Sequence, residues 1–483
     1  MIDAGTSAMR AVTVSADGTV TAVASEPYDV FVPEDAAPFG REFDPKSLLR
    51  ALNRLINAAS ARTVDIAAIA FTGQREGIAF TDAGGAAIFA SPNVDARAAS
   101  QGMAIDAARG SEVYATTGHL PSLMQAPAKL AWLRSERPET ASRVRHVVPV
   151  ADWLAAALAG SMAMSRSLAA ENGLLDVRTC AVPEALLGAL GLALSLLPGV
   201  ADDGAVAGVV ERGELRGVPV LLAGADTQCA LLGMGALEAG DTAVPAGWSA
   251  PVQMVTAAPV FDDAWRTWTS VHVTPGAWIL ESNAGETGRS WEWLCSMLGM
   301  QSEAATALAS NSPAGARDVV CIYGPRAMRA GAMSAGLGAL TFPLPLVMSE
   351  PDRGDVLRAT LEAIAYAVRA NIEQLEEVSG ATIGRLALGG GMSRNMLFAQ
   401  ILADVIDRPV TVAGAAETTA VGAAMLAAAT VGLHSSLAES VASMRRASAM
   451  IEPKPAVSAV YEDAYGRWCA LADSSAQLAA EAG

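Results

Sequence analysis

Lysine is nearly absent from this chain. Three occur in 483 residues, Lys46, Lys129 and Lys454, and none follows a glycine. The phosphate-binding pattern GxxxxGK[ST] is therefore excluded, and any phosphate held here is held by other means. A GxGxxG fingerprint is missing as well. "GGGMSR" and "GMGALE" each put a side chain where the third glycine belongs, which removes support for a Rossmann dinucleotide site. Cysteine is sparse: Cys180, Cys229, Cys295, Cys321 and Cys469 form no CxxC pair, and the four histidines, His119, His146, His272 and His434, are as scattered. Neither a disulfide framework nor a zinc site is expected, and the cytoplasm is the simplest compartment. Positive charge is also short. With 33 Lys and Arg against 50 Asp and Glu, the formal charge of −17 argues against nucleic acid, whose affinity depends on phosphate neutralisation. The longest apolar run, Ala185 to Leu197, lies between two prolines and falls short of the ~20 residues of a spanning helix. No membrane partner is expected, and Asp3 stands where an export signal would want basic residues.

Apolar residues, mostly Ala, Val and Leu, make up 52% of the chain, so there is ample material to bury. The length predicts two domains rather than one core, 1–238 and 239–483. The opening "MIDAGTSAMRAV" reads as strand, polar turn, strand, followed by a hairpin at Asp17-Gly18. "FDPKSLLRALNRLINAAS" has Asp44-Pro45 at its start and helical apolar spacing after it. "IAAIAFTGQREGIAF" is a buried strand, a polar loop and the start of a hairpin turning at Asp82 to Gly85; helical patterns dominate from Ala96 to Gly160. "VPVLLAGADTQCALLGMG" is a buried strand running into a short helix, after which strand, small-residue turn (Ala246-Gly247) and strand repeat the pattern of the N-terminus. "ALGGGMSRNMLFAQILADVIDRPV" is strand, glycine turn and amphipathic helix, and a small-residue helix begins near Glu417.

Four pieces can hold a phosphorylated nucleotide without lysine. Gly5, Thr6 and Ser7 can aim backbone N–H groups and hydroxyls at phosphate oxygens, with Arg10 adding charge. Asp3 beside them makes sense only if a cation such as Mg²⁺ intervenes; otherwise it is an ordinary turn carboxylate. Asp226 ends a buried strand and opens a helix, so it is either an N-cap or a base that accepts a hydroxyl proton during phosphoryl transfer. "GGGMSRN" lets a flat ligand approach the backbone at a helix N-terminus. Finally, "TGQREG" and "PNVDAR" carry Gln74, Arg75, Glu76, Asn93, Asp95 and Arg97, a mixture suited to sugar hydroxyls or to a surface ion-pair network. Met124, Trp291 and Trp293 read as core or pocket wall.

In this order the pieces resemble the FGGY carbohydrate kinases, a branch of the actin/hexokinase/Hsp70-like fold. "DAGTSAMRAV" is similar to the family's first phosphate loop, "GQREG" with "PNVDAR" to its sugar loops, "GADTQCALLGMG" to the segment with the catalytic Asp, and "GGGMSRNMLFAQ…ETTAVGAAMLAA" to its adenosine region. The sugar loops most resemble the autoinducer-2 kinase and xylulokinase-like branches, whose acceptors are short open-chain sugars. The resemblance implies an α/β fold of two actin-like (ribonuclease H-like) domains with ATP and sugar in the cleft between them. It assigns Asp3 to Mg²⁺; Thr6, Ser7 and Arg10 to phosphates; Asp226 to catalysis; and Gly390, Gly391 and Asn395 to adenosine. Gln74, Arg75, Glu76, Asn93, Asp95, Arg97, Met124 and Gln125 fall to the sugar. The second phosphate loop, Gly247, Trp248 and Ser249, departs from the family, which usually has Thr at the Trp248 position. The partners expected are a sugar or polyol and, as the assembly to test, a second copy of the chain. Two other readings stay open: a weak or inactive nucleotide- or sugar-binding regulator, and an actin-like scaffold or chaperone ATPase.

Overall fold

In a computed structural model, which describes residues 1–61, 65–331, 336–348, 350–414 and 417–482, two large sheets dominate. The first runs Val206–Val209, Pro219–Ala225, Ile69–Gly73, Ile2–Ala4, Ala8–Val14, Val20–Pro27. Its three central strands are parallel and its flanking strands antiparallel. The second runs Trp268–Val271, Trp278–Asn283, Pro251–Thr256, Thr242–Pro245, Leu386–Gly389, Val410–Ala413, Ala447–Ile451. Apart from the extra edge strand Trp268–Val271, it has the same order and the same pattern of parallel and antiparallel pairs. The repeat read from the turn at Ala246-Gly247 thus extends to six strands. Ile69–Gly73 and Leu386–Gly389 are buried along their whole length, as parallel strands covered on both faces must be.

Local signals place the helices. Asp44 accepts hydrogen bonds from the amides of Lys46 (3.0 Å) and Ser47 (3.1 Å), Pro45 takes the first helical position, and Pro45–Ser60 follows. The helix buries Leu48, Leu52 and Leu55 on one face. One expectation is corrected here: within the helical stretch from residue 96 to 160, His146–Pro149 is a strand, paired antiparallel with Ile78–Thr81. Val147 and Val148, β-branched and fully buried, pack better on that pleated surface than in a helix.

Two helices cross between the sheets. Asp226–Gly233 follows the first sheet yet touches Thr242–Pro245 of the second, while Thr418–Thr430 follows the second and packs on Ile69–Gly73 and Pro219–Ala225 of the first. Only glycine permits their approach. A Cβ on Gly422 would lie 1.8 Å from the Cys229 carbonyl oxygen, and one on Gly233 would lie 2.0 Å from that of Thr418. The ribbon Trp268–Asn283 is stitched to the first half as well. The Thr269 amide donates to Gly118 O (3.0 Å), Trp268 Nε1 to Leu120 O (2.6 Å) and Trp278 Nε1 to Val177 O (2.6 Å).

Candidate active site

Topology brings the acidic residues together. Ile2–Ala4, Ile69–Gly73 and Pro219–Ala225 are parallel neighbours, so their C-terminal ends share one edge, where ligands of open α/β sheets bind. Asp3 pairs in register with Thr72, Ala4 with Gly73, and Gly73 with Ala225. Gln74 and Asp226 therefore emerge side by side, two positions beyond the level of Asp3, with Arg75 and Glu76 following.

Asp3 and Arg10 face each other across the first hairpin and form an ion pair at 2.9 Å. Arg10 also reaches Glu417, at 2.7 Å, from the loop before the crossing helix. Asp3 is buried and its Oδ1 has no hydrogen-bond partner. Burial pushes its carboxyl up, with Arg10 opposing and Glu417 adding to the rise. Asp226 is not the N-cap: Ala225 holds that position, and Asp226 Oδ1 accepts from the Thr227 amide at 2.7 Å. Burial and then the like charge of Asp3 push the Asp226 carboxyl up to about 7, with Arg75 opposing. The two acids are close enough to feel each other.

Arg10, Asp226 and Thr227 line a cavity of about 350 Å³ with Gly390, Gly391 and Arg394 of the second half. A second cavity, of about 770 Å³, shares Gly391 and is lined by Gly247, Trp248, Trp291, Gln301 and Ser302. Backbone contacts hold the second loop. Gly390 has φ 78° and a Cβ there would meet Ala246 O at 2.5 Å, while the Met392 amide donates to that same oxygen at 3.0 Å. A Cβ on Gly288 would lie 2.0 Å from Gly247 O. Trp248 sits on the rim, 58% exposed, and the Gly247 amide donates to Ser249 O at 2.9 Å. Asn395 lines neither cavity; it caps Met396–Ile406 by accepting from the Phe398 amide (3.1 Å) and donates to Thr306 Oγ1 (2.9 Å).

The polar loops divide. Gln74 donates to Gly5 O (2.9 Å) and accepts from the Asn93 amide (2.8 Å), and Thr6 Oγ1 donates to Asn93 Oδ1 (3.1 Å). These three residues lash the loop Gly5-Thr6-Ser7 to the second polar loop. Tyr28 Oη adds a hydrogen bond to Gly5 O, and Ser7 stays exposed. Asp95 and Arg97 require a correction, because their side chains are fully buried against each other at 2.8 Å and do not face the opening. Arg97 also holds Glu42 (2.6 Å) and lies over the rings of Phe89 and Trp132; the pair is an internal brace. Met124 is half-buried in the turn Ser122–Met124, and Gln125 is buried beside Gly173.

Around Arg75 stands a network that the sequence reading missed. Arg75 donates to both oxygens of Glu281, at 2.6 and 3.2 Å, and lies 3.7 Å from Glu171. Glu171 accepts from Ser270 Oγ (2.7 Å) and from Gln228 (2.5 Å) and lies 3.4 Å from His119 Nε2. Burial alone would raise the Glu171 carboxyl, but His119 and Arg75 outweigh it and hold it at about 2. Burial works against the His119 imidazolium, yet Glu171 outweighs that and raises its pKa. Burial also raises Glu76, against Arg75 and Lys129. The available signal was a carboxylate inside a buried apolar element, "SLAAENG" and "WILESN".

The chain matches the FGGY family of carbohydrate kinases, N-terminal domain, over residues 1–233, and the C-terminal domain of the same family over residues 243–431. The autoinducer-2 kinase of Salmonella paratyphi B is 31% identical over 498 residues, covering 97% of this chain and 93% of that one. The structure of xylulose kinase from Rhodospirillum rubrum superposes with a TM-score of 0.84 at 27% identity, covering 98% of each chain. Gluconate kinase from Lactobacillus acidophilus, at 20% identity and a TM-score of 0.88, covers 99% of this chain and 98% of that one and shares the fold.

Proposed function

Because the chain belongs to the FGGY family of carbohydrate kinases, ATP-dependent phosphotransferases, we propose that it phosphorylates a hydroxyl of a short open-chain sugar or polyol, pentulose-like or autoinducer-2-like. The observation that carries the site assignment is the meeting of Asp226, its carboxyl near 7, with Asp3 and Arg10 at one edge of the first sheet. Asp226 takes the proton of the acceptor hydroxyl; the freed oxygen bonds to the γ-phosphorus as the bond to the β-bridging oxygen breaks, and ADP leaves. The smaller cavity takes the phosphates and the larger one the adenosine, with Arg10 and Arg394 supplying positive charge. Arg75 and Glu76 face the acceptor, while Gln74, Asn93 and Thr6 fix the loops around it.

The unpartnered Oδ1 of Asp3 fits a cation of the Mg²⁺ type, which is held by one or two carboxylates plus phosphates and water. Bound there, Mg²⁺ would screen the phosphate charge. The reading includes a division of the chain near 238/239, with the reaction between the halves. Trp248 favours a second reading, a weak or inactive member, because an exposed indole stands where a hydroxyl would contact phosphate. ADP release measured over a panel of pentuloses, polyols and 4,5-dihydroxy-2,3-pentanedione decides between them. Acceptor-dependent turnover that Asp226→Asn abolishes supports the kinase; measurable ATP binding with no turnover on any acceptor supports the second reading.

A further inference from the structure

We propose that Glu281 is a positioning residue that sets the charge of the acceptor: by occupying Arg75 it makes the acceptor end take uncharged polyols and ketoses and turn away aldonates. The inference rests on the kinase reading above and deepens it. A guanidinium beside a catalytic carboxylate is the group that would hold an acidic acceptor, because its fork matches a carboxylate with two parallel hydrogen bonds. Here that fork is already filled. Glu281 takes both bonds, its own Oε2 is fixed by Gln253 Nε2 at 2.7 Å, and Arg75 lies over the Trp268 ring with 5.7 Å to its centroid. The Glu281 side chain is 4% exposed, so an acceptor that captured Arg75 would strand a buried carboxylate without its counter-charge.

The surrounding charges act in the same direction. Asp226, Glu76, Glu171 and Glu281 stand around Arg75 and His119; Glu171 and Glu281 already match both bases, even with the histidine protonated, and Asp226 and Glu76 add negative charge wherever they ionise. Lys129 is engaged behind the loop, where its Nζ donates to the carbonyls of Glu76 (2.9 Å) and Pro92 (3.3 Å) and feels Asp95. A carboxylate arriving at Arg75 meets a guanidinium already paired, with further carboxyl groups around it. A polyol or hydroxyketone meets hydrogen-bonding groups of both kinds. The determinant comes from the opposite half of the molecule, since Arg75 leaves the first sheet and Glu281 lies in the strand Trp278–Asn283 of the second.

The test compares kcat and KM for a pentulose, a pentitol and the matching pentonate in the wild type, Glu281→Gln and Glu281→Asp. The wild type is expected to favour the neutral acceptors by roughly 100-fold or more in kcat/KM, the scale of a like-charge contact in a desolvated site. Glu281→Gln is expected to narrow that ratio at least about tenfold, through the pentonate KM and not the ATP KM, while Glu281→Asp, which keeps the charge, retains the preference. Equal use of pentonate and neutral acceptors by the wild type overturns the inference and stands even if the Gln variant fails to fold. An equal loss for both acceptor classes in a folded Glu281→Gln overturns it too, by reducing Glu281 to structural support. Silence with every acceptor, neutral and acidic, overturns the kinase reading instead.

Discussion

Asp226 offers a prediction in which activity and stability read the same charge. Its carboxyl moves from an ordinary 3.8 to about 7, chiefly by burial and then by Asp3, with Arg75 opposing. At ~1.36 kcal/mol per pKa unit that displacement amounts to about 4 kcal/mol of preference for the neutral form, an upper bound at a site open to the cleft. A base must be ionised to accept a proton, so kcat/KM for the acceptor should fall about tenfold per pH unit below 7 and level off above it. Asp226→Asn keeps the shape and removes the base, and kcat is expected to drop by about 10²–10⁴. Stability responds in a defined direction. A folded-state pKa raised above the unfolded one leaves its contribution intact below 3.8 and removes it as pH rises to about 7. The Asn variant should therefore melt with the wild type near pH 4 and above it at pH 8. Initial rates of ADP release between pH 5.5 and 8.5, with thermal melts of both proteins, provide the check. A flat kcat/KM profile, or an Asn variant within tenfold of wild-type turnover, refutes the assignment.

Asp3→Asn removes the like charge beside Asp226 and one ligand of the expected cation. The acid limb should move to lower pH, and the free Mg²⁺ giving half-maximal rate should rise about tenfold or more at fixed ATP. Gly422→Ala puts a methyl 1.8 Å from the Cys229 carbonyl, so the crossing helices must part; a loss of about 1–3 kcal/mol is expected by denaturant unfolding. Trp248→Thr changes an exposed rim residue, so stability should stay within about 0.5 kcal/mol while the KM for ATP falls as a hydroxyl returns to the loop. An unchanged or higher KM for ATP would show that the indole itself serves the nucleotide.

Local signals in the sequence were enough for the elements that carry the site. Asp44-Pro45 marks a helix start because the cap is a single side chain bonding to amides two and three residues on. The small-residue helix from Glu417 is readable because its alanines and glycines leave room for a partner, here Asp226–Gly233. Burial direction is what remained hidden. Asp95 and Arg97 look like ligand groups in a polar loop, yet the loop turns them inward against Glu42, Phe89 and Trp132. Asn395, which the sequence places near adenosine, also caps the helix it precedes. The Arg75–Glu281 pair joins residues 206 positions apart across two sheets, and no periodicity or spacing encodes such a partner.

The duplicated strand order accounts for how one architecture makes two unlike sites. Ala4 aligns with Gly73 in the first sheet as Pro245 aligns with Gly389 in the second, so the turns after these strands occupy equivalent places. By that register Asp3 corresponds to Val244, and Gln74 and Arg75 to Gly390 and Gly391. The first half thus places a carboxylate, an amide and a guanidinium where the second places an apolar side chain and two glycines. Polar side chains can grip hydroxyls and a cation; bare glycine backbone lets a flat group lie close. On the proposed reading phosphoryl transfer uses both kinds of surface, one for the acceptor and one for the donor, at the cavity that Asp226 shares with Gly390 and Gly391. Repetition of the strands supplies the alignment, and divergence at these turns gives the two halves unlike surfaces.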